Sequence, residues 1–511
     1  MEYPRAAVRF SVLRWLLPFV TAAWHIAALL GCYRRFVFDE AEGRVYGLAD
    51  DVYISACFGR SLFSGAGFVW YAGAPRVEGI SNPLWSVLIG ALHTLPGYSL
   101  DRLGALVIAL NAVLLVIASW LFWSTLERAR PAAPLGKAAA LGVVLLPAAV
   151  GADYWCAEGF EIALLAVLCL GMVHVALGPN LERASVALAI VFALGVATRM
   201  DFVLSAVPGL VLYGLRRPGA RNLARCFGLA LLLVASLLVA RYAYYGEWLP
   251  NTYFLKATNW PLEARLPRGR LQNAALLPLL PLPLLALLVP ISRRWLLREA
   301  PHALAGWLGF ALTVLYSTYV GGDAWRSFGG YDRHTAIGGL LLIWSACAVI
   351  AALAHRPPLA ALACALALPI AFWPLYAENG AARVRDALFQ ETLGARSLER
   401  EWIRYGKAFR EIARPGARIA LCPAGAVVYF SERGGVDLLG KVDPFVARLP
   451  VSPRKPPNNA CWRDAPGHNK EDDVAVFELR KPEFSRYRPP PEVAPLYTKV
   501  KYKGFQFFQR K

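Results

Sequence analysis

The sequence predicts an α-helical polytopic membrane protein with a small C-terminal α/β domain, and three observations lead to this fold class. Of the 511 residues, 57% are hydrophobic and only 17% are charged, whereas soluble proteins carry about 25% charged residues. The apolar residues form long runs that are able to cross a bilayer. From about Ala377 onward these runs stop, and charges and prolines become dense. We therefore expect a membrane domain over residues 1–376 and a C-terminal domain over residues 377–511.

Eleven apolar runs are long enough, or nearly long enough, to be transmembrane helices. They cover residues 12–32, 103–124, 136–151, 160–177, 183–197, 201–215, 224–243, 272–291, 303–320, 334–354 and 359–376. The run 82–95 is shorter and contains Pro83, so we interpret it as a juxtamembrane or re-entrant helix. Before it, the acidic start at Asp50 and Asp51 favours a short amphipathic helix that continues through Arg60.

The distribution of charge predicts the orientation of the chain. Lys and Arg outnumber Asp and Glu by 54 to 35. Much of this excess lies in short loops that contain Arg128/Arg130/Lys137, Arg216/Arg217/Arg221/Arg225, Arg293/Arg294/Arg298 and His355/Arg356. Because basic loops stay in the cytoplasm, we expect a cytoplasmic N-terminus and an extracytoplasmic C-terminal domain. The positive charge is explained by orientation in the membrane, and nucleic acid is not an expected partner.

The first extracytoplasmic loop carries the adjacent carboxylates Asp50 and Asp51. An acidic pair beside a membrane is costly unless it has a function, and a helix N-cap needs only one aspartate. A carboxylate at this face can take a proton from an attacking hydroxyl. It can also hold a divalent cation such as Mg²⁺ or Mn²⁺ through its oxygens. Glu78, later in the loop, is either a third functional carboxylate or a surface charge paired with Arg76.

Further charged residues fall on the same predicted side of the membrane. Glu158 and Glu161 are three residues apart and share one helical face. Arg199 lies between two apolar runs and is either a structural partner of Asp201 or a phosphate ligand, because its guanidinium matches phosphate oxygens. Other outward-facing cations are Lys256, Arg333 and His334. Cations beside external carboxylates suit a phosphate leaving group.

The C-terminal domain is predicted to contain short strands at Arg418–Leu421, Val427–Phe430 and Val474–Leu479, which are rich in apolar and β-branched residues. Cys422 and Cys461 both lie in this domain. If the domain is extracytoplasmic, these two cysteines are able to form a disulfide bond.

Eight motifs in chain order resemble those of membrane-embedded GT-C glycosyltransferases, in particular the mycobacterial terminal (β-1,2) arabinofuranosyltransferases and their Gram-negative relatives. The motifs are Asp50-Asp-Val-Tyr-Ile-Ser55, Gly65-Ala-Gly-Phe-Val69, Arg76-Val-Glu-Gly-Ile-Ser-Asn-Pro-Leu-Trp85, Gly159-Phe-Glu161, Thr198-Arg-Met-Asp201, Tyr245-Gly-Glu-Trp-Leu-Pro-Asn-Thr-Tyr253, Gly321-Gly-Asp-Ala-Trp325 and Val436-Asp-Leu-Leu-Gly-Lys-Val-Asp443. The chain departs from the family pattern at Met200 and at Arg333-His334, which leaves the identity of the sugar open.

The resemblance implies a GT-C fold and transfer of a sugar, with arabinofuranose favoured, from a polyprenyl-phosphate donor to a glycan or protein acceptor. The implied location is the periplasmic face of the bacterial inner membrane. Asp50 and Asp51 would supply the catalytic carboxylate, Glu158 or Glu161 the second acidic element, and Arg199 and Lys256 the grip on the lipid phosphate. The other implied substrate-binding residues are Glu78, Asn82, Asp201, Asn251, Tyr253, Asp323, Arg333 and His334. The C-terminal domain is expected to help bind the acceptor.

Two other functions remain open from the sequence. A lipid-linked glycan ligase or polymerase would rely on basic residues of one large loop rather than on an acidic pair in the first loop. A lipid-sugar flippase would place its charges at mid-span, whereas here they lie at predicted helix ends.

Overall fold

The protein is described here from a computed structural model that covers residues 5–41, 43–129, 150–283, 288, 290–324, 332–353, 358–359, 396–452 and 464–511. Several predictions fall outside these ranges. They are the span 136–151 up to residue 149, the span 359–376 from residue 360, the boundary between residues 376 and 377, and the residues Arg130, Lys137, Trp325, His355, Arg356 and Cys461.

The described residues before position 360 are mostly helical. In chain order the helices are α1 (Arg5–Tyr33), α2 (Asp50–Phe63), α3 (Pro83–Leu92), α4 (Leu103–Ala129), α5 (Val150–Glu158), α6 (Ile162–Ala176), α7 (Leu181–Thr198), α8 (Phe202–Leu215), α9 (Ala220–Tyr245), α10 (Asn251–Ala257), α11 (Leu262–Gln272), α12 (Pro290–Glu299), α13 (Pro301–Val320) and α14 (Ala336–Ala352).

Among the described residues, five helical segments are long and apolar enough to cross a membrane. They are Trp15–Phe36, Leu100–Ala129, Leu181–Thr198, Ala220–Tyr245 and Pro301–Val320. The shorter apolar helices α3, α6, α8 and α14 accompany them. The chain is therefore a multi-pass membrane protein, while the number of eleven crossings and their orientation stay predictions.

The predicted span 272–291 differs from the structure at its start. Helix α11 ends at Gln272, residues 273–276 form turns, and Leu277–Leu279 is a single 3-10 turn before helix resumes at residue 282. The expectation of one continuous helix from residue 272 is wrong. Pro278 and Pro281 explain the break, because proline has no backbone N–H to donate within a helix.

The segment between α1 and α4 positions the acidic pair. Strands β1 (Val37–Glu40) and β2 (Gly43–Tyr46) form an antiparallel hairpin, and α2 begins four residues later. Helix α2 approaches α3 so closely that a Cβ atom on Gly59 would lie 2.3 Å from the carbonyl oxygen of Ser86. The expected short helices at 50–60 and within 82–95 are both confirmed.

The C-terminal residues combine a five-stranded sheet with helices. The strand order is β4-β3-β5-β7-β6. Strand β3 (Arg418–Leu421) runs parallel to β4 (Gly434–Asp437) and β5 (Phe484–Ser485), and β7 (Phe505–Arg510) runs antiparallel to β5 and β6 (Tyr497–Tyr502). The helices are α15 (Arg396–Ile412), α16 (Ala426–Ser431), α17 (Pro444–Arg448) and α18 (Asp473–Arg480).

Of the three strands predicted in this part, the one at Arg418–Leu421 is confirmed and two are wrong. Val427–Phe430 lies in α16, whose six residues are all buried, so the apolar run carries no periodicity that separates helix from strand. Val474–Leu479 lies in α18, where the side chain of Asp472 accepts a hydrogen bond from the backbone N–H of Ala475. That cap is a helix-start signal which the β-branched composition obscured.

The C-terminal part packs directly on α2 and the loop that follows it. The indole N–H of Trp70 donates to the carbonyl of Ala424 at 3.0 Å, and Arg60 donates to the carbonyl of Tyr429 at 2.9 Å. Cys422 is disulfide-bonded, and its pairing with Cys461 stays a prediction. The C-terminal part thus contacts the membrane part at α2, the helix that begins with the acidic pair, and at the loop that follows α2.

Candidate active site

A polar cavity of about 70 Å³ lies where α2, the loop before α3, α10 and the C-terminal part meet. It is lined by Asp51, Ile54, Ser55, Gly79, Ile80, Ser81, Asn82, Phe160, Glu161, Arg199, Thr252, Lys256, Arg333, His334 and Lys441. Seven of the predicted site residues are therefore brought together at one place: Asp51, Asn82, Glu161, Arg199, Lys256, Arg333 and His334.

Asp51 presents its carboxylate to this cavity as an ion pair. Its Oδ1 accepts a hydrogen bond from Lys441 Nζ, and its Oδ2 lies 3.7 Å from Arg333 Nη1. Burial alone would raise the pKa of Asp51, but Lys441 and Arg333 outweigh it and hold that pKa well below its usual range. The carboxylate is therefore charged, and its basicity depends on the positions of the Lys441 and Arg333 side chains.

Asp50 lies outside the cavity lining and is 4% exposed. Its carboxylate accepts hydrogen bonds from the backbone N–H groups of Ala426 at 2.7 Å and Gly425 at 3.2 Å. Burial raises the pKa of Asp50 to about 6, against the opposing effects of Lys441 and these donors. Its partners are fixed backbone groups, so in this structure Asp50 joins α2 to α16. Its catalytic role stays a prediction.

Glu161 connects two walls of the cavity. Its Oε2 accepts a hydrogen bond from Asn82 Nδ2 at 2.8 Å, and its Oε1 accepts one from Arg199 Nη1 at 3.2 Å. Ser55 Oγ in turn donates to Asn82 Oδ1 at 2.9 Å. This chain of hydrogen bonds fixes the orientation of the Asn82 amide and links α2 to the segment that precedes α8.

Arg199 is bound by two carboxylates. Its Nε and Nη2 donate to Asp201 Oδ1 and Oδ2 at 2.9 and 2.6 Å, and Glu161 is its third contact. Nδ1 of His334 lies 3.1 Å from Arg199 Nη2 and 3.4 Å from Asp201 Oδ2. In this structure Arg199 is an ion-pair partner of Asp201, and its role as a phosphate ligand stays a prediction. Its charge is already matched.

Arg333 is held in place by Asp323 and by aromatic rings. Asp323 accepts from the backbone N–H and from Nε of Arg333 at 3.1 and 2.8 Å, and from its Nη2 at 3.2 Å. The guanidinium carbon lies 4.8 Å from the ring centre of Phe160 and 5.2 Å from that of Trp155. These contacts direct the remaining nitrogen, Nη1, toward Asp51.

Lys256 is the cation at the cavity whose charge is least matched. It lies near the C-terminal end of α10 and is half-buried. Within the described ranges, its ammonium makes no hydrogen bond and no ion pair. Burial, together with the nearby Arg333, lowers the pKa of Lys256 to about 8. A desolvated ammonium at a cavity wall is suited to bind an anion.

Lys441 comes from the loop between β4 and α17 and is held there by several constraints. Asp437 accepts hydrogen bonds from the backbone N–H groups of Leu439 at 2.9 Å and Val442 at 2.7 Å. Gly440 has a φ of +80°, a conformation that glycine adopts without strain. Asn251 donates to the carbonyls of Gly440 and Lys441 at 2.9 and 3.0 Å. The loop is thus built to deliver one lysine side chain to Asp51.

Two predicted carboxylates are buried in ion pairs away from the cavity. Glu158 Oε1 accepts from Arg35 Nη2 at 2.6 Å, and both side chains are almost completely buried. Glu78 accepts from Arg241 Nε at 2.6 Å, so its partner is not the Arg76 that the sequence suggested. Their positions support the packing of the helices, and their predicted roles in the reaction are not tested.

Three other predicted residues either contact a residue of the cavity lining or face solvent. Asp323 orients Arg333, and Asn251 orients the loop of Lys441, as described above. Tyr253 is 44% exposed and packs edge-on against Phe254 with ring centres 5.6 Å apart. A role for Tyr253 in binding substrate stays a prediction.

Several residues at or beside the cavity were missed by sequence reasoning. Lys441, Ser55 and Thr252 are among those that line it. His468 is close enough that burial and Lys441 lower its pKa to about 3. Lys441, Ser55 and Thr252 lay inside recognised motifs, which was the available signal. His468 carried none, because it reaches the site only through the fold of the C-terminal part.

The carboxylates at the cavity are engaged by cationic side chains, and a divalent cation at this site stays a prediction. Within the described ranges, no group of three or more His, Cys, Asp or Glu side chains is arranged to hold a metal ion. Asp51 is engaged by Lys441 and Arg333, and Asp201 and Glu161 are engaged by Arg199. The predicted Mg²⁺ or Mn²⁺ would need these pairs to be broken first.

Comparison with known proteins gives one family match and ten matching chains among solved structures, including two structures of ArnT. A family model described as a domain of unknown function (DUF8728) matches residues 391–507. No curated protein matches the chain. The crystal structure of ArnT from Cupriavidus metallidurans bound to undecaprenyl phosphate is similar over 98% of each chain, with a TM-score of 0.53 and 14% sequence identity. The apo structure of the same protein gives a TM-score of 0.52 with the same identity and coverage.

At 14% identity, the likeness to ArnT concerns the fold and extends over nearly the whole length of both chains. It includes the C-terminal residues that the family model covers. The particular relation to arabinofuranosyltransferases that the motifs implied is not shown. The coarser part of the fold prediction is confirmed, since this multi-pass membrane protein matches the GT-C fold of ArnT. The number of transmembrane helices and the C-terminal α/β domain are not confirmed by this likeness.

Proposed function

We propose that the protein is a glycosyltransferase that moves a sugar from a polyprenyl-phosphate donor to a glycan or protein acceptor at the periplasmic face of the bacterial inner membrane. The observation that carries this proposal is the cavity in which the carboxylate of Asp51 faces Lys256, Arg333 and Lys441. A carboxylate for an acceptor proton and cations for a phosphate leaving group are the two requirements of such a transfer.

The ArnT likeness supports the lipid part of the proposal. One of the two ArnT structures contains undecaprenyl phosphate, and the present chain shares that fold over almost its full length. A donor held in the bilayer also accounts for the many apolar helices around a single polar cavity. Arabinofuranose is our first choice of sugar, on the strength of the sequence motifs alone.

The proposed reaction is a single displacement with inversion at the anomeric carbon. The acceptor hydroxyl attacks this carbon, its proton passes to Asp51, and the bond from the carbon to the phosphate oxygen breaks. Lys256 and Arg333 stabilise the negative charge that develops on the phosphate. Arg199, already matched by Asp201 and Glu161, fixes the wall of the cavity. None of these steps needs a metal ion.

Turnover by the purified protein in lipid nanodiscs tests the proposal. The donors are polyprenyl-phosphoryl arabinofuranose and, in parallel, hexose analogues, and the acceptors are an arabinan or a short glycan. We expect transfer by the wild type with and without EDTA. Asp51→Asn should still bind the donor and should lose turnover by about 10²–10⁴-fold, the usual contribution of a general base. Absence of transfer from every polyprenyl-phosphate sugar would contradict the proposal and favour a ligase or a flippase.

A further inference from the structure

Among the described residues that line the cavity, Lys441 alone comes from the C-terminal part. Its loop is fixed on both sides, by the Asp437 carboxylate within the loop and by the Asn251 amide from α10. The loop also packs on the segment before α3, since a Cβ atom on Gly79 would lie 3.1 Å from the carbonyl oxygen of Lys441. The backbone at Lys441 is therefore clamped, and only its flexible four-carbon side chain remains able to move.

The charged groups around Asp51 differ in how firmly they are held. Arg333 is tied to Asp323 by three hydrogen bonds, so it keeps its position whatever occupies the cavity. Lys441 contacts Asp51 with its terminal ammonium. Lys256 and His468 also face Asp51, and Asp50 adds a second negative charge next to it. Among these groups, Lys441 combines direct contact with freedom to leave.

We propose that Lys441 exchanges partners during turnover, pairing with Asp51 in the empty site and with the phosphate of the lipid donor in the occupied site. This inference rests on the proposed function and adds a role for the C-terminal part within the reaction. Binding of the donor brings an anion to the wall that Lys256 and Lys441 share. Lys441 then releases Asp51, so the base becomes active only when a donor is present.

The movement of charge during the reaction favours this exchange. The donor phosphate carries one negative charge as a diester, and the released polyprenyl phosphate carries up to two. Asp51 loses its charge when it accepts the proton of the acceptor hydroxyl. Negative charge therefore moves from Asp51 to the phosphate during the reaction. The Lys441 ammonium reaches both groups, so it is paired with an anion before and after the transfer. The release of product and the loss of the proton from Asp51 restore the resting pair.

A double-mutant cycle on binding tests the exchange without any need for turnover. The probe is undecaprenyl phosphate, and its affinity is measured for the full-length protein in nanodiscs. We expect Lys441→Met to bind it about tenfold more weakly than the wild type. Asp51→Asn should bind about tenfold more tightly, because Lys441 is then free. In the variant that carries both substitutions, the gain from Asp51→Asn should disappear. Lys499→Met, an exposed lysine in the same part of the chain, is the control and should bind like the wild type.

Several outcomes of this cycle overturn the inference. If Asp51→Asn tightens binding equally with and without Lys441, simple removal of a negative charge explains the gain and there is no exchange. If Lys441→Met binds like the wild type, Lys441 does not reach the phosphate, while the proposed function stands. If the wild type binds no undecaprenyl phosphate at all, the proposed function fails and the exchange fails with it.

The pH profile provides a readout that a merely structural lysine would not change. The acid limb of kcat/KM reports on the free enzyme, and that of kcat reports on the occupied enzyme. In Lys441→Met, the limb of kcat/KM should move up by about one pH unit or more, since an opposite charge within a few ångströms lowers a carboxyl pKa by 1–3 units. The limb of kcat should move by less than half of that shift, because Lys441 has left Asp51 by then. Equal shifts of both limbs would show that Lys441 stays on Asp51 throughout.

Discussion

The cavity and the contact between α2 and α16 each hold one member of the same acidic pair. At the contact, Asp50 accepts from the backbone N–H groups of residues 425 and 426, which are unable to leave. In the cavity, Asp51 lies 3.7 Å from Arg333, which Asp323 holds in place, and accepts a hydrogen bond from the flexible side chain of Lys441. A carboxylate whose donors are all fixed stabilises an interface, and one with a movable donor remains available for chemistry.

The same difference separates Glu158 from Glu161. Glu158 is buried against Arg35 and is not among the residues that line the cavity. Glu161, three residues later, lines the cavity and shares Arg199 with Asp201. Gly159, with a φ of +98°, turns the chain between them. Two carboxylates at helical spacing thus serve different purposes because a glycine breaks the helix between them.

The comparison between Asp50 and Asp51 is tested most strongly by the matching asparagine substitutions. Beside the loss of turnover expected for Asp51→Asn, we expect Asp50→Asn to keep turnover within about tenfold of the wild type. It should instead lose about 1–3 kcal/mol of stability, because an amide in place of the carboxylate turns a donor toward backbone N–H groups that need an acceptor. Turnover and thermal unfolding of both variants in the same nanodiscs make the measurement. A catalytic Asp50 would show the opposite pattern, with normal unfolding and lost turnover.

Glutamine substitutions of Glu158 and Glu161 should differ in stability and in turnover, and the difference in turnover should be smaller than that between the two asparagine variants. Glu158→Gln leaves the buried guanidinium of Arg35 without its carboxylate, which costs about 3–5 kcal/mol in typical buried pairs. Glu161→Gln leaves Arg199 paired with Asp201, so it should cost less stability and slow turnover by about tenfold through misplaced Asn82. Denaturation curves and kcat values separate the two. Loss of kcat without loss of stability in Glu158→Gln would show that the buried pair takes part in the reaction.

Lys256, whose ammonium forms no ion pair with a carboxylate among the described residues, should make the affinity for undecaprenyl phosphate depend on pH. Its pKa is lowered to about 8, so the ammonium is charged below pH 8 and becomes neutral above it. Affinity for undecaprenyl phosphate should therefore be highest below pH 8 and fall as the pH rises through that value. Lys256→Arg, whose guanidinium stays charged, should remove this fall. An unchanged decline in Lys256→Arg would assign it to another group.

The smallest expected effect concerns the support of the Lys441 loop. A Cβ atom at Gly79 would lie 2.6 Å from Cγ2 of Val442 and 3.1 Å from the carbonyl oxygen of Lys441. Gly79→Ala should therefore shift the loop and raise the KM for donor several-fold, with kcat changed less. Gly339→Ala, where an added Cβ meets nothing within 4 Å, is the matched control. Equal KM values for Gly79→Ala and the wild type would show that the loop adapts without moving Lys441.

How much of this was predictable from the sequence depends on the range of the interaction. Helix α2 and the cavity residues Asp51, Glu161, Arg199 and Lys256 followed from local patterns and from motifs in chain order. The partner of Asp51 did not follow, because Lys441 lies 390 positions away in the chain. The strand expected at Val474–Leu479 failed for a related reason. Its composition favours a strand, whereas the capping contact of Asp472 with Ala475 selects a helix.

The separation of the roles of Asp50 and Asp51 was equally out of reach. Adjacent residues of the same type have the same local preferences, and only the backbone of residues 425 and 426 distinguishes them. Long-range pairing of this kind leaves no trace in composition or periodicity. The sequence therefore located the acidic site, and the three-dimensional contacts were needed to divide it between the two residues.

The contact of Asp50 with Gly425 also implies a delay during synthesis, because the two residues lie far apart in the chain. The two residues are 375 positions apart, and they meet so closely that a Cβ atom on Gly425 would lie 1.8 Å from the carbonyl oxygen of Asp50. At about 5–20 residues per second, roughly 20–75 seconds of synthesis separate the appearance of the acidic pair from that of its partners. Of the partners of the acidic pair, Arg333 is synthesised first, and residues 425, 426 and 441 follow it. Asp50 therefore waits longest for the backbone donors that it has in the folded protein.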